Sequence, residues 1–326
     1  MTSIPKRLKC SWLFLLALLL LPLLGACDSP HEPPLRIASS PWPGYEPLYL
    51  AREIGYLPEA KAHVFELPSS DITLESFRNR SADIATLTLD ETLDLLHSGV
   101  QLRILMVLDV SYGADAVMAH PRVKRLSDLK GKRIAILNIP LGVYMLSRTL
   151  DAAGLSRNDV KVIPSAESKH EEMYRRGAAD AFITFEPFKT RLAAQGAHVL
   201  FDSSDIPNEV FDLMVVHEAV YQQRRAEVCD VARQWLRTQE YMRQSPDAAA
   251  AAIAKRLGVS PQEYLAMVQG IKTPGLAENL ELIGDRQAIL QPAQRLNGVM
   301  LAEGQLKHVV AVGPALIPGL NHCISP

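Results

Sequence analysis

The chain has 326 residues, 48% of them hydrophobic and 21% charged, and its 34 basic and 36 acidic residues leave a net charge of −2 at pH 7. A protein that binds nucleic acid needs a basic stripe or patch, and this balance gives no electrostatic basis for one. The composition is that of a globular protein, and the length is enough for two domains.

Residues 1–26 are predicted to be a signal peptide. Basic residues precede an apolar run over residues 11–24 that is too short to cross a bilayer. The run ends in Leu24-Gly25-Ala26-Cys27, which resembles the bacterial lipobox, where cleavage occurs before a cysteine that is then lipidated. An ordinary signal peptide followed by an incidental cysteine is the alternative. Residues 27–34 would then form a short polar tether.

The four cysteines are expected to have different fates. Cys10 would leave with the signal peptide and Cys27 would carry lipid, so Cys229 and Cys323 would remain in an oxidising compartment. These two could form a disulfide that ties the C-terminal tail to a helix, or could stay free. We do not expect a catalytic or metal-binding role for them, because the chain has no Cys-x-x-Cys motif.

From residue 35 onwards, short apolar runs alternate with amphipathic segments. The predicted strands are residues 35–38, 62–67, 83–88, 102–110, 116–120, 133–137, 160–164, 181–185, 197–202 and 211–217. The predicted helices between them lie near residues 47–55, 71–78, 90–98, 126–130, 143–153, 167–176 and 187–194. This alternation indicates parallel α/β sheets. The pattern is then helical to about residue 305, with one helix over 218–244 and new helix starts at Ser245-Pro246 and Ser260-Pro261.

Two α/β blocks followed by a helical segment predict two lobes. The chain would cross between them near residues 109–115 and 203–212, so that the first lobe comprises residues 35–112 and 209–326 and the second comprises residues 113–208. A cleft between two such lobes can close on a solute by hinge motion.

The segment 36–52 is expected to contribute to binding, because it reads as a strand, a loop and a helix start. Its loop contains Trp42 and Tyr45, whose rings offer flat apolar faces, and Gly44, which lets backbone approach a bound molecule. Open α/β sheets bind ligands at such strand ends. An ordinary connection with two aromatic residues in the core is the alternative.

Six short segments carry a family resemblance. They are residues 42–52 (WPGYEPLYLAR), 82–85 (ADIA), 112–119 (YGADAVMA), 126–135 (LSDLKGKRIA), 177–188 (GAADAFITFEPF) and 212–216 (DLMVV). In this order they resemble the periplasmic solute-binding proteins of ABC importers, in the nitrate/sulfonate/taurine and thiamine-pyrimidine-precursor group. The resemblance implies the α/β type 2 periplasmic-binding-protein fold, with two lobes, each a mostly parallel sheet flanked by helices.

The function implied by this resemblance is capture of a small molecule and its delivery to an ABC permease with its ATPase. The protein would be a monomeric lipoprotein, anchored through Cys27 at the periplasmic face of the inner membrane, and would need no cofactor. The alternative is a sensory lipoprotein that docks on a membrane receptor or signalling enzyme. No catalytic or metal-binding motif is present in the sequence, and we expect no enzyme activity.

In that family, ligand contacts come from loops at strand ends facing the cleft. Carried over by position, the expected contacts are Trp42, Tyr45, Thr88, Asp90, Tyr112, Asp115, Asn138, Tyr144, Glu186 and Asp212. Several of them have structural alternatives: Asp90 could cap a helix, Asp115 and Asp212 could brace the crossings, and Tyr144 could belong to the core.

The chemistry of these positions indicates a ligand class. A sulfonate or nitrate binder is expected to present hydroxyls and free N–H groups at a helix N-terminus, whereas the loop 138–142 contains Pro140 and no hydroxyl. Several carboxylates near the cleft would be costly to bury unless a cationic group of the ligand, or Arg or Lys, pairs with them. With the aromatic residues, they predict a ligand with an amine, amidine or aminopyrimidine group.

Overall fold

The computed structural model describes residues 32–284, 287–317 and 323. The predicted signal peptide and the lipidation site at Cys27 lie outside these residues. Within the described residues, none of the helices combines the length and the apolar character needed to cross a membrane.

Strands and helices alternate from residue 35 to residue 217, as predicted. The strands are β1 (Leu35–Ser39), β2 (Ala62–Glu66), β3 (Ile84–Thr88), β4 (Leu102–Ser111), β5 (Asp115–Ala119), β6 (Arg133–Leu137), β7 (Lys161–Ser165), β8 (Ala181–Phe185), β9 (His198–Asp202), β10 (Phe211–His217) and β11 (Ile271–Lys272). The helices of this part are α1 (Glu46–Glu53), α2 (Ser70–Arg78), α3 (Leu89–His97), α4 (Pro140–Ala153), α5 (His170–Arg175) and α6 (Phe188–Ala194). Residues 126–130, predicted as a short helix, contain a 3-10 turn at Leu126–Leu129.

The strands form two sheets, in the orders β11-β4-β10-β3-β1-β2 and β7-β6-β8-β5-β9. In the first sheet β1 runs parallel to β2 and β3, while β10 runs antiparallel to both β3 and β4. In the second sheet β6 runs parallel to β7 and β8, while β5 runs antiparallel to β8 and β9. Most strands of each sheet therefore share one direction, as predicted, and a strand of the opposite direction is inserted next to each crossing of the chain.

Because β10 and β5 run opposite to their neighbours, each of them starts beside the strand ends of its sheet. Asp212, near the start of β10, pairs with Thr88 at the end of β3 and with Asp109 near the end of β4. In the other sheet Asp115 starts β5 opposite Phe185, which ends β8. The strand ends of both sheets thus collect polar residues, which is the edge where open α/β sheets bind their ligands. The lobe boundaries at residues 112/113 and 208/209 remain a proposal.

The helices after β10 differ from the prediction at one point. They are α7 (Glu218–Gln223), α8 (Arg225–Gln244), α9 (Pro246–Leu257), α10 (Pro261–Val268), α11 (Leu276–Ile283) and α12 (Leu290–Ala302). The single helix predicted over 218–244 is wrong: the backbone leaves helical geometry at Arg224, with φ −125° and ψ 33°. The start at Ser260 is confirmed, because its hydroxyl accepts a hydrogen bond of 3.2 Å from the N–H of Glu263.

A disulfide joins Cys229 of α8 to Cys323, and both residues are buried. This settles the alternative that the sequence left open. The bond fixes the distal end of the chain to a helix whose Trp235 is fully buried in the core.

Candidate ligand-binding cleft

A small cavity lies where the strand ends of the two sheets face each other. The first sheet and the loops and helices that follow its strands line it with Ser40, Trp42, Tyr45, Ser70, Thr88, Glu91 and Asp212. The second sheet and the loops and helices that follow its strands line it with Asp115, Ile139, Leu141 and Phe185. The volume open to the centre of a water molecule is only about 20 Å³, which is room for about one or two waters. In this arrangement the cavity is too small for a larger solute.

The loop after β1 brings two aromatic side chains onto two carboxyl groups. The indole N–H of Trp42 donates a hydrogen bond of 3.0 Å to Oδ2 of Asp109, and the hydroxyl of Tyr45 donates one to Oδ1 of Asp212. Gly44 allows this approach, because a Cβ there would lie 2.2 Å from Oδ2 of Asp109. The close approach at Gly44 is therefore to side chains of the protein. Its predicted approach to a bound molecule stays a prediction.

Five carboxyl groups are buried around this point: Asp90, Glu91, Asp109, Asp115 and Asp212. None of them forms an ion pair with a lysine or arginine in the part of the chain that the structure describes. The positive charge of Lys189 only partly opposes the effect of burial on the pKa of Asp115, and Lys189 donates its hydrogen bond of 2.7 Å to the carbonyl of Gly113.

Burial raises the pKa of every member of this group. It raises the pKa of Asp90 and Asp109 to about 7 and that of Asp115 to about 8. The pKa values of Glu91 and Asp212 are well above their usual range, first because of desolvation and then because neighbouring carboxylates repel a second charge. Without a bound cation the group therefore retains protons near neutral pH.

Three oxygens of the group lack a hydrogen-bond partner among the described residues. They are Oδ2 of Asp90, Oε1 of Glu91 and Oδ1 of Asp109. Buried carboxylate oxygens without donors are costly, so such oxygens indicate a missing donor group. Within the described residues, no set of three or more His, Cys, Asp or Glu side chains has the arrangement that a metal ion requires.

The structure brings five of the ten predicted contacts together in the cavity lining: Trp42, Tyr45, Thr88, Asp115 and Asp212. Thr88 also caps α3, because its hydroxyl accepts from the N–H of Glu91 at 3.4 Å while Oε2 of Glu91 accepts from the N–H of Thr88 at 2.8 Å. Asp90, buried beside them in the first turn of α3, does not line the cavity.

The other four predicted contacts lie away from the lining. Tyr112 is 41% exposed, and Nζ of Lys272 lies over its ring, 3.4 Å from the ring centroid. Tyr144 is buried and donates a hydrogen bond of 2.5 Å to Glu209. Glu186 accepts a hydrogen bond of 3.1 Å from the N–H of Thr190 and so serves the start of α6.

Asn138 is exposed, and the helix expected from about residue 143 already begins at Pro140. Proline at the first helical position needs no N–H partner, which makes this early start favourable. Ile139 and Leu141 take the lining position instead, as an apolar wall from the second lobe.

Sequence reasoning missed two acidic members of the site. Asp109 is the one charged residue in the otherwise apolar run from Ile104 to Val110. Charged residues are rare in buried strands, so this position could have been selected as a candidate. Glu91 lies three residues after Thr88, which is the capping-box spacing. Ser40, Ser70 and Phe185 had no comparable signal.

The NMT1-like family model matches residues 28–258. The chain belongs to the NMT1-like family. None of the curated proteins compared with it matches the sequence.

Solved structures show where the fold of this NMT1-like protein recurs. The alkanesulfonate-binding protein SsuA from Xanthomonas axonopodis pv. citri, bound to MOPS, is 19% identical with a TM-score of 0.74, covering 87% of this chain and 98% of that chain. The nitrate-binding protein NrtA from Synechocystis PCC 6803 is 14% identical with a TM-score of 0.59, covering 70% and 68%. The desulfurization enzyme DSZB is 19% identical with a TM-score of 0.65, covering 89% and 98%. The fold is therefore that of the two-lobed periplasmic binding proteins.

Proposed function

We propose that this protein is a solute-binding lipoprotein that captures a small molecule in the cleft between its lobes and delivers it to the permease and ATPase of an ABC importer. Its family, its fold and a cavity lined by both lobes support this proposal. The lipobox-like sequence before Cys27 supports anchoring at the periplasmic face of the inner membrane, where a monomer would meet the permease.

The ligand we propose carries an amine, amidine or aminopyrimidine group. The observation that carries this is the set of five buried carboxyl groups, which has no basic partner in the described part of the chain. A protonated nitrogen would supply the donors that Asp90, Glu91 and Asp109 lack and would offset the repulsion that keeps the group protonated. Two of the solved structures named above are an alkanesulfonate-binding and a nitrate-binding protein, but an identity below 20% carries the fold to this chain and not the ligand.

The walls of the cavity fit a flat or small apolar body attached to such a group. Trp42 packs edge-on against Phe185 with ring centroids 5.8 Å apart, and Ile139 and Leu141 lie in the same lining. Aromatic faces stabilise a cation or a heteroaromatic ring that is held beside them.

We propose binding without chemical conversion, even though an enzyme shares the fold. The lining contains no cysteine, histidine or lysine, so the described cleft offers no nucleophile of those types. Its carboxyl groups raise one another's pKa values, and a cation that displaces their protons would offset this repulsion, so the arrangement suits cation binding.

A thermal-shift panel on the purified protein tests the proposal. The panel contains simple amines, guanidines and aminopyrimidines, with methanesulfonate, taurine and nitrate as the opposing set. A ligand present at 100 times its dissociation constant stabilises the folded state by about 2.7 kcal/mol, which raises the melting temperature measurably. A shift with members of the cationic set supports the proposal, and a shift with nitrate and sulfonates alone contradicts the ligand class.

A further inference from the structure

The start of α2 is closed by a carboxylate that comes from the other lobe. Glu167 follows β7 of the second sheet, and its Oε1 accepts a hydrogen bond of 3.0 Å from the backbone N–H of Ser70, in the first lobe. Glu167 is only 3% exposed. Ser70 follows β2 of the first sheet, so this contact joins elements that belong to the two different sheets.

Helix starts are where proteins ordinarily hold the oxyanions of their ligands, since the first N–H groups have no partner within the helix. At α2 two hydroxyls would add to such a place, because Oγ of Ser70 lies 3.5 Å from Oγ of Ser40 and both residues line the cavity. A carboxyl group already occupies this position, and it belongs to the protein's own Glu167.

We propose that Glu167 is a specificity-determining residue that excludes oxyanions from the cleft. Its carboxylate fills the place at the start of α2 that a sulfonate or nitrate would take, and its charge repels any anion that approaches. The inference rests on the proposed function, since it explains how a protein with the fold of sulfonate-binding proteins selects a cationic ligand. It goes further by assigning the exclusion of anions to a single side chain outside the cavity lining.

The test compares the purified full-length protein with Glu167→Ala, Glu167→Gln and a control, Glu172→Ala. Glu172 lies five residues further along, and its side chain is 46% exposed and paired with Arg176, so the control removes the same charge without opening the start of α2. Dissociation constants for methanesulfonate and nitrate are measured by calorimetry, and circular dichroism verifies folding of each variant.

We expect Glu167→Ala to bind methanesulfonate at least about tenfold more tightly than the unchanged protein, because a buried like charge and its volume are both removed. Glu167→Gln should gain less, because its amide keeps the volume while losing the charge, and Glu172→Ala should gain nothing. A folded Glu167→Ala variant that gains no more than Glu172→Ala overturns the inference. If Glu167→Ala does not fold, the methanesulfonate affinity of Glu167→Gln is compared with that of Glu172→Ala, and the absence of a larger gain overturns the inference.

Binding of amines, guanidines and aminopyrimidines is measured on the same proteins, so that this inference and the proposed function can fail separately. Tight binding of methanesulfonate by the unchanged protein overturns the role of Glu167 whatever the variants do. If the unchanged protein binds no amine, guanidine or aminopyrimidine but Glu167→Ala gains methanesulfonate affinity, the proposed ligand class falls while the exclusion by Glu167 stands.

Discussion

Asp109 and Asp212 lie opposite each other on the neighbouring strands β4 and β10, and burial, together with the charge of Asp109, raises the pKa of Asp212. Two buried carboxyl groups that repel each other in this way titrate as a unit. Trp42 donates a hydrogen bond to Asp109, and Tyr45 donates one to Asp212. The loop after β1 therefore orients the pair, and a bound cation can replace a proton that the pair holds.

Ligand-free protein should lose stability as the pH rises from about 4 to about 8. The folded-state pKa values of Asp90, Asp109 and Asp115 are raised to about 7 or 8, so the folded state binds more protons than the unfolded state in this window, and its free energy of unfolding falls with increasing pH. Melting temperatures measured across this range test the prediction. A melting temperature that rises steadily to pH 8 would mean that these groups are ionised and paired in the folded protein.

Cation binding should release protons. A ligand that pairs with the ionised carboxylates lowers their pKa, so affinity should increase between pH 6 and pH 8 for a ligand that stays protonated over that range. Calorimetry of one amine in two buffers of different ionisation enthalpy counts the protons released. An apparent binding enthalpy that is the same in both buffers would show that binding releases no protons and would contradict this prediction.

Gly44→Ala should weaken binding and destabilise the fold by about 1–3 kcal/mol. The added Cβ would lie 2.2 Å from Oδ2 of Asp109 and 2.3 Å from Nε1 of Trp42, so the loop has to shift and the hydrogen bond between them has to break. Gly298→Ala, in α12, is the matched control, because a Cβ there meets nothing within 4 Å. The control should be stabilised by about 0.5–1 kcal/mol, and urea unfolding compares the two variants.

Removing the disulfide should lower stability without affecting the cleft. Cys229 and Cys323 are 94 residues apart in sequence, and losing a cross-link over a long loop typically costs about 2–5 kcal/mol. Cys229→Ser combined with Cys323→Ser should unfold at lower urea concentration while keeping the ligand's dissociation constant. A loss of affinity of the same size as the loss of stability would place the bond in the binding mechanism instead.

The sequence was sufficient for the α/β class, the two lobes and most strand positions, because short apolar runs and the segments between them obey simple periodicities. It also located the loop of Trp42 and Tyr45. It could not locate the break at Arg224, where neither proline nor glycine occurs. Asp212 lies opposite Asp109 because β10 is inserted next to β4. Pairing between strands that are distant in sequence leaves no local pattern from which it could be predicted.

The sequence identified only some of the residues that line the cavity, for a related reason. Position along a motif identified Asp115 and Asp212 in the cavity, but it also selected Glu186, which serves the start of a helix. Side chains at the same strand end can turn to the cleft or to their own helix, and only packing decides between these directions. Glu167 belongs to no motif, and its role depends on contact with the opposite lobe.

Cation binding by the buried carboxyl groups is tested most directly by the dissociation constant of the best amine or aminopyrimidine at pH 8, measured in three proteins. These are the unchanged protein, Asp109→Asn, and Asp151→Asn, whose side chain is 63% exposed and serves as the control for charge. Removing a buried charge that pairs with the ligand should weaken binding by roughly thirtyfold or more in Asp109→Asn, and Asp151→Asn should bind as the unchanged protein does. Equal affinity in all three proteins would contradict the account.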